Sequence, residues 1–219
     1  STSLALLAKI YEPTSGKIER NARMAPLLER GSGFHPDLTG LENLVFNGVI
    51  LGLTRKQVHE RTDAIVAFAE LEDHIDSPVR TYSAGMMARL GFSLAMHAEA
   101  EVLIVDEVLA VGDSRFEKKC YDRIAEFQAR GGTIFFVSHN PNAVRQVANR
   151  CLWMEKGRLR EDGPVEEVLR AYETAPEVTV LAGAVALRAD ELAGGEGLRG
   201  LHRPVSGSVG LHRPDQTQS

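Results

Sequence analysis

The run "EVLIVDE" at residues 101–107 decides the fold. Its unbroken apolar stretch reads as a strand buried on both faces, the pattern of a strand inside a parallel sheet. A second run of the same kind, "GTIFFVSH", occupies residues 132–139. Between them Phe116, Cys120, Ile124 and Phe127 recur at spacings of four, four and three, which predicts an amphipathic helix. Strand, helix and strand in that order imply a right-handed crossover unit and an α/β layer structure.

The first strand ends in two carboxylates, Asp106 and Glu107, at the end where open α/β sheets bind ligands. Adjacent strand residues point in opposite directions, so the two acids cannot share one role. One can hold a metal while the other faces a second atom such as an attacking water; a solvated strand end would account for the pair equally well. His139 ends the second strand and reaches the same crevice. A lone histidine there is more often structural, and its coincidence with the acids shifts the balance. In "TYSAGM" (81–86), the small residues Ser83, Ala84 and Gly85 precede a good helix. They predict a helix N-terminus with a capping hydroxyl and accessible N–H groups, an anion-binding geometry, with an ordinary N-cap as the even alternative.

Outward from these motifs, residues 40–97 read as three successive helices, a helical subdomain set into the α/β core. Leu4, Leu6, Leu7 and Ile10 read as the apolar face of a short helix, and Pro164, Glu166 and Glu167 suit the first turn of a helix running to about Tyr172. The 219 residues are 43% hydrophobic and 25% charged, which excludes wholesale disorder. A net charge of −5 with scattered Lys and Arg gives no support to a nucleic-acid surface. Cys120 and Cys151 lack paired spacing and read as buried, reduced thiols. No apolar run approaches the roughly 20 residues that cross a bilayer, so a membrane role requires a partner. Residues 176–219, in which "GLHRP" occurs twice, are expected to form a flexible low-complexity tail.

Taken together, residues 1–172 resemble the nucleotide-binding subunit of ATP-binding-cassette transporters. "VLIVDEVLAVGD" resembles the family's Walker B strand and D-loop, "YSAGM" stands where the signature L-S-G-G-Q would be, and "VSH" is similar to the histidine switch. "STSLALLAKIYEPTSGKI" resembles the segment directly after the Gly and Lys of a Walker A loop. The resemblance implies a P-loop NTPase (RecA-like) α/β core over 1–39 and 98–175, with a helical signature subdomain over 40–97, incomplete at its N-terminus. It implies ATP and Mg²⁺. Ser1 and Asp106 would hold the metal, with Thr2 near the phosphates. Glu107 would be the general base toward the attacking water, and His139 would contact the γ-phosphate. Ser83 and Gly85, with Tyr82, Ala84 and Met86 beside them, would bind the ATP held by an opposite subunit, and Asp113 would cross the interface of that head-to-tail dimer.

A narrower resemblance, in "MAPLLERGSGFHPDLTGLENLVFNGVILGL", is to the subgroup that exports O-antigen, capsule and teichoic acid. There a Glu commonly replaces the Q-loop Gln, and Glu29 is the equivalent here, or Arg30 if the alignment slips. The resemblance implies export of a lipid-linked polysaccharide with an integral membrane permease, from the cytoplasmic face of the inner membrane and without nucleic acid. The signature departs from the family at Tyr82, Ala84 and Met86; Ala for Gly permits a helix N-terminus with less room for phosphate. The Gly-rich loop and Lys that precede Ser1 in the family, and the strand before them, do not stand in this sequence. The expectation is therefore a fragment that binds ATP poorly and leaves sheet backbone unpaired. Its alternatives are a non-catalytic remnant, or a soluble cassette ATPase acting on DNA or ribosomes, whose usual coiled-coil insertions, tandem cassettes and basic arms are not seen.

Overall fold

Strand β2 (Val102–Asp106) and strand β3 (Thr133–Ser138) pair in parallel, with Val102 opposite Thr133 and Asp106 opposite Val137. The computed structural model describes residues 2–19, 21–27, 33–106 and 113–175, and residues 182–186 as backbone. All of these belong to one compact unit, residues 1–188. Strand β1 (Met24–Leu27) lies parallel to β2 on its other side and forms an edge of the sheet. Pro26 is tolerated there because an edge strand leaves one row of backbone groups unpaired.

Strands β4 (Arg150–Glu155) and β5 (Arg158–Pro164) form an antiparallel hairpin. Its two-residue turn places Lys156 at φ 49° and Gly157 at φ 77°, the pair of positive values that a tight hairpin turn demands. Strand β6 (Ala182–Ala186) lies between β3 and β4, antiparallel to both, giving the order β1-β2-β3-β6-β4-β5. One expectation is corrected here. Residues 182–186 of the expected flexible tail are a strand within the sheet, which is mixed. The physical reason is that β3 and β4 each present a row of peptide groups that need partners, and a strand between them supplies both rows.

Side chains alternate across β2 and divide the core. Leu103 and Val105 pack on one face with residues of helices α5 (Ser114–Ala129), α6 (Pro141–Val147) and α7 (Val165–Thr174). Val102 and Ile104 pack on the other with Leu4 of helix α1 (Thr2–Leu7). Burial of β2 on both faces follows its sequence pattern, and so does burial of Phe116, Cys120, Ile124 and Phe127 along α5. Helix α1 is shorter than its apolar spacing suggested. The backbone turns to φ 59° at Lys9, and Ile10 is 56% exposed.

The three upstream helices are α2 (Gly40–Ile50), α3 (Arg55–Ala69) and α4 (Ala84–His97). Capping boxes at Thr39–Glu42 and Thr54–Gln57 start the first two, each satisfying otherwise free N–H groups reciprocally. They enclose a separate cluster that includes Leu44, Ile65, Leu71 and Leu90. Phe68, Phe92 and Phe116 join this layer to the core, with ring centroids 5.9–6.4 Å apart.

Candidate functional site

Asp106 closes β2 and is half-buried, on the side of the strand that carries Val102 and Ile104 and faces α1. Its register partner is Val137, and exposed His139 lies just beyond the end of β3. The parallel pairing of these two strands therefore brings Asp106 and His139 to the same end of the sheet. Thr2 is exposed at the start of α1. Ser1, Glu29 and Glu107 lie outside the described residues, as does Arg30.

The second group sits on the helical layer. Ser83 is the N-cap of α4, with φ −69° and ψ 161°, and its Oγ accepts from the Met86 amide at 3.1 Å. Ser83 and Ala84 are exposed and Gly85 is half-buried, with no acidic residue in the first turn. The head of α4 is thus an open helix N-terminus whose partial positive charge and free amides suit an anion. A methyl group at Gly85 would meet nothing closer than Ser83 Oγ at 3.6 Å. Two members of the expected set face elsewhere. Tyr82 is buried, its hydroxyl donates to the His74 carbonyl at 2.7 Å, and burial with the nearby Asp76 charge pushes its phenol up. Met86 packs against the helical cluster. Tyr82 and Met86 therefore hold the signature turn in place from behind.

Asp113 is the N-cap of α5, its Oδ1 accepting from the Phe116 amide at 2.9 Å. Its Oδ2 accepts from Arg89 of α4 at 2.8 Å. The Phe116 amide, and Arg89 after it, hold the Asp113 carboxyl below the ordinary carboxylate range. Both oxygens are engaged within the chain. Sequence reasoning missed Arg89, and also Asn43, which is completely buried in α2 and fastens the segment ahead of that helix. The only signal available was the presence of polar side chains inside otherwise helical apolar patterns.

Of the residues expected to hold Mg²⁺, Asp106 offers a hard carboxylate oxygen at a strand end. One or two carboxylates together with phosphate oxygens and water is the ligand set Mg²⁺ prefers, so the chemistry fits. Among the described residues no group of three His, Cys, Asp or Glu forms a metal cage, and no helix is long and apolar enough to cross a membrane.

The sheet with Asp106 at the carboxyl end of β2 and the open helix N-terminus belong to an α/β protein, and residues 1–110 match the ABC transporter family model. The chain belongs to the ABC transporter family. It is 49% identical over 175 residues to the O-antigen export system ATP-binding protein RfbB of Klebsiella pneumoniae, covering 80% of this chain and 71% of that one. It is 41% identical over 216 residues to the RfbB of Myxococcus xanthus, where 97% of this chain spans 49% of the relative. The teichoic acids export ATP-binding protein TagH of Staphylococcus haemolyticus is 41% identical over 173 residues, 79% of this chain and 65% of the relative. Among solved structures, an ATP-binding subunit of an ABC transporter aligns with TM-score 0.70 at 19% identity, over 80% of this chain and 78% of that one. A dimeric, post-hydrolysis ATP-binding cassette bound to ADP and Pi aligns with TM-score 0.64 at 18% identity, over 75% and 79%. These structural likenesses carry the P-loop NTPase fold.

Proposed function

We propose that this chain is the ATP-binding and hydrolysing part of an exporter that moves a lipid-linked polysaccharide across the cytoplasmic membrane. The observation that carries the reading is its kinship with relatives named for O-antigen and teichoic acid export. The open N-terminus of α4 and Asp106 at the end of β2 supply a matching chemical rationale. The chain works as a head-to-tail pair of copies, peripheral on the cytoplasmic face and docked on an integral membrane permease. ATP binds between the copies. Thr2 lies near the phosphates, and Ser83, with the amides of Ala84 and Gly85, receives the γ-phosphate of ATP held by the other copy. Each such charge-assisted hydrogen bond contributes about 1.5–3 kcal/mol.

His139 contacts the γ-phosphate from the sheet side, and Glu107 takes the proton from the attacking water. Glu29, or Arg30 if the alignment slips, takes the role of the family's Q-loop Gln. Ser1 and Asp106 would hold Mg²⁺, which supplies charge neutralisation on the phosphates. Positioning and preorganised charge provide most of the rate in such a site. Deleting the encoding gene tests the reading. The lipid-linked glycan is expected to accumulate inside the cell and to disappear from the surface. An unchanged surface glycan with no internal accumulation would overturn it.

A further inference from the structure

Four charged side chains from three helices meet where the helical layer touches the core. Arg89 lies on α4 six residues after Ser83, and 17% of its side chain is exposed. Its Nη1 donates to Glu70 Oε2 at 3.2 Å and its Nη2 to Asp113 Oδ2 at 2.8 Å. The guanidinium stands 4.7 Å from the centre of the Phe116 ring. Glu70 caps the end of α3 in the left-handed conformation, φ 59°. Its other oxygen accepts from Lys119 of α5 at 3.2 Å, and Lys119 also donates to the Phe68 carbonyl at 2.9 Å.

Two cations and two anions make this cluster neutral, which offsets the cost of withdrawing Arg89 from water. A planar fork can serve two carboxylates on different helices while stacking on a ring; a lysine ammonium cannot match that geometry. Asp113 is committed on both sides, to the cap of α5 and to Arg89.

We infer that Arg89 is a positioning residue: through Asp113 and Glu70 it sets how α4, with Ser83 and Gly85 at its head, is seated on α5. Asp113 then acts within its own chain. Six residues of helix span about 9 Å, so a swing of about 10° at Arg89 displaces Ser83 by about 1.5 Å. A misplacement of that size costs a preorganised site on the order of 10²-fold in rate. The inference rests on the proposed function only for what Ser83 and Gly85 bind.

Amide hydrogen exchange on the whole chain tests it, using wild type, Arg89→Met, Arg89→Lys, Asp113→Asn and the double variant Arg89→Met with Asp113→Asn. Asparagine retains the N-cap of α5, so Asp113→Asn removes chiefly the charge that Arg89 meets. Asp113→Asn, which removes one charge-assisted hydrogen bond, is expected to speed exchange of amides 86–90 about tenfold, and Arg89→Met, which removes that bond and the one to Glu70, by more. The double variant goes no further than Arg89→Met, Arg89→Lys recovers part, and the amides of β3, which report global opening, keep their rates. Multiplied effects in the double variant, or α4 amides unchanged by Arg89→Met, overturn the inference. Lowered self-association in Asp113→Asn with wild-type exchange in α4 also overturns it, because Asp113 would then serve the other copy. Exchange is read without turnover, so an unchanged surface glycan after gene deletion refutes the proposed function and not this inference.

Discussion

Replacing Asn43 by leucine tests how the segment ahead of α2 is held. Asn43 has no exposed surface, yet its side chain is fully polar. Its Oδ1 accepts from the His35 amide at 2.7 Å, and its Nδ2 lies within reach of the carbonyls of His35, Leu38 and Thr39 at 3.0, 3.1 and 2.9 Å. Leucine has the same branched heavy-atom skeleton, so the change removes hydrogen bonds without opening a cavity. Stranding the His35 amide costs about 1–3 kcal/mol, and each lost bond to a carbonyl that water can partly reach adds about 0.5–1.5 kcal/mol. With two N–H groups on Nδ2, a total of about 2–6 kcal/mol is expected. For a unit of this size that lowers Tm by roughly 4–24 °C. Urea unfolding followed by far-UV circular dichroism reads it as a lower midpoint at unchanged slope. Exchange of the His35 amide should accelerate at the same time. A stability loss under about 0.5 kcal/mol would refute the reasoning, because the buried polar cluster would then be dispensable.

Ser83→Ala removes the cap of α4 and is expected to cost about 1 kcal/mol in urea unfolding, whereas Ser83→Thr keeps most of it; equal midpoints for Ala and Ser would contradict the capping role. The Asp113 carboxyl is held low first by the Phe116 amide, and that of Glu99 first by its hydrogen bond from Arg61. A depressed native pKa contributes stability that is complete above the unfolded value, near 4, and is lost as pH falls through the native one. Asp113→Asn and Glu99→Gln should therefore each flatten the loss of stability below about pH 4.5, read from urea midpoints; curves parallel to wild type would count against these pairs. Burial pushes the Cys120 thiol up to about 12 and the Cys151 thiol up to about 11. Neither should react with a thiol reagent at pH 8 until the protein unfolds, and rapid native labelling would disprove their burial.

The features readable from the sequence were those that depend on neighbours along the chain. The apolar runs of β2 and β3 and the spacing of Phe116, Cys120, Ile124 and Phe127 are local patterns imposed by burial, and their elements formed where expected. The capping role of Ser83 was legible for the same reason, since a hydroxyl three residues before an amide is a local geometry. β6 was not legible. Its five small residues pair with residues 29 or more positions away, and only the peptide groups of β3 and β4 call for them. Within the candidate site, Tyr82 looked like a ligand contact from its place in the motif, but its partner, the carbonyl of His74, comes from the turn before it. Arg89 resembled any surface arginine on a helix, because its two carboxylates sit 19 residues before it and 24 after. Long-range polar pairing leaves no period in the sequence.

The most direct measurement is phosphate release by the protein with a Gly-rich loop and Lys joined ahead of Ser1, isolated with the proposed permease, for wild type and for Glu107→Gln. The account predicts ATP turnover by wild type, and for the variant nearly complete loss of turnover with ATP still bound between two copies. Wild-type hydrolysis by Glu107→Gln, or a complex that neither binds nor turns over ATP, would contradict it.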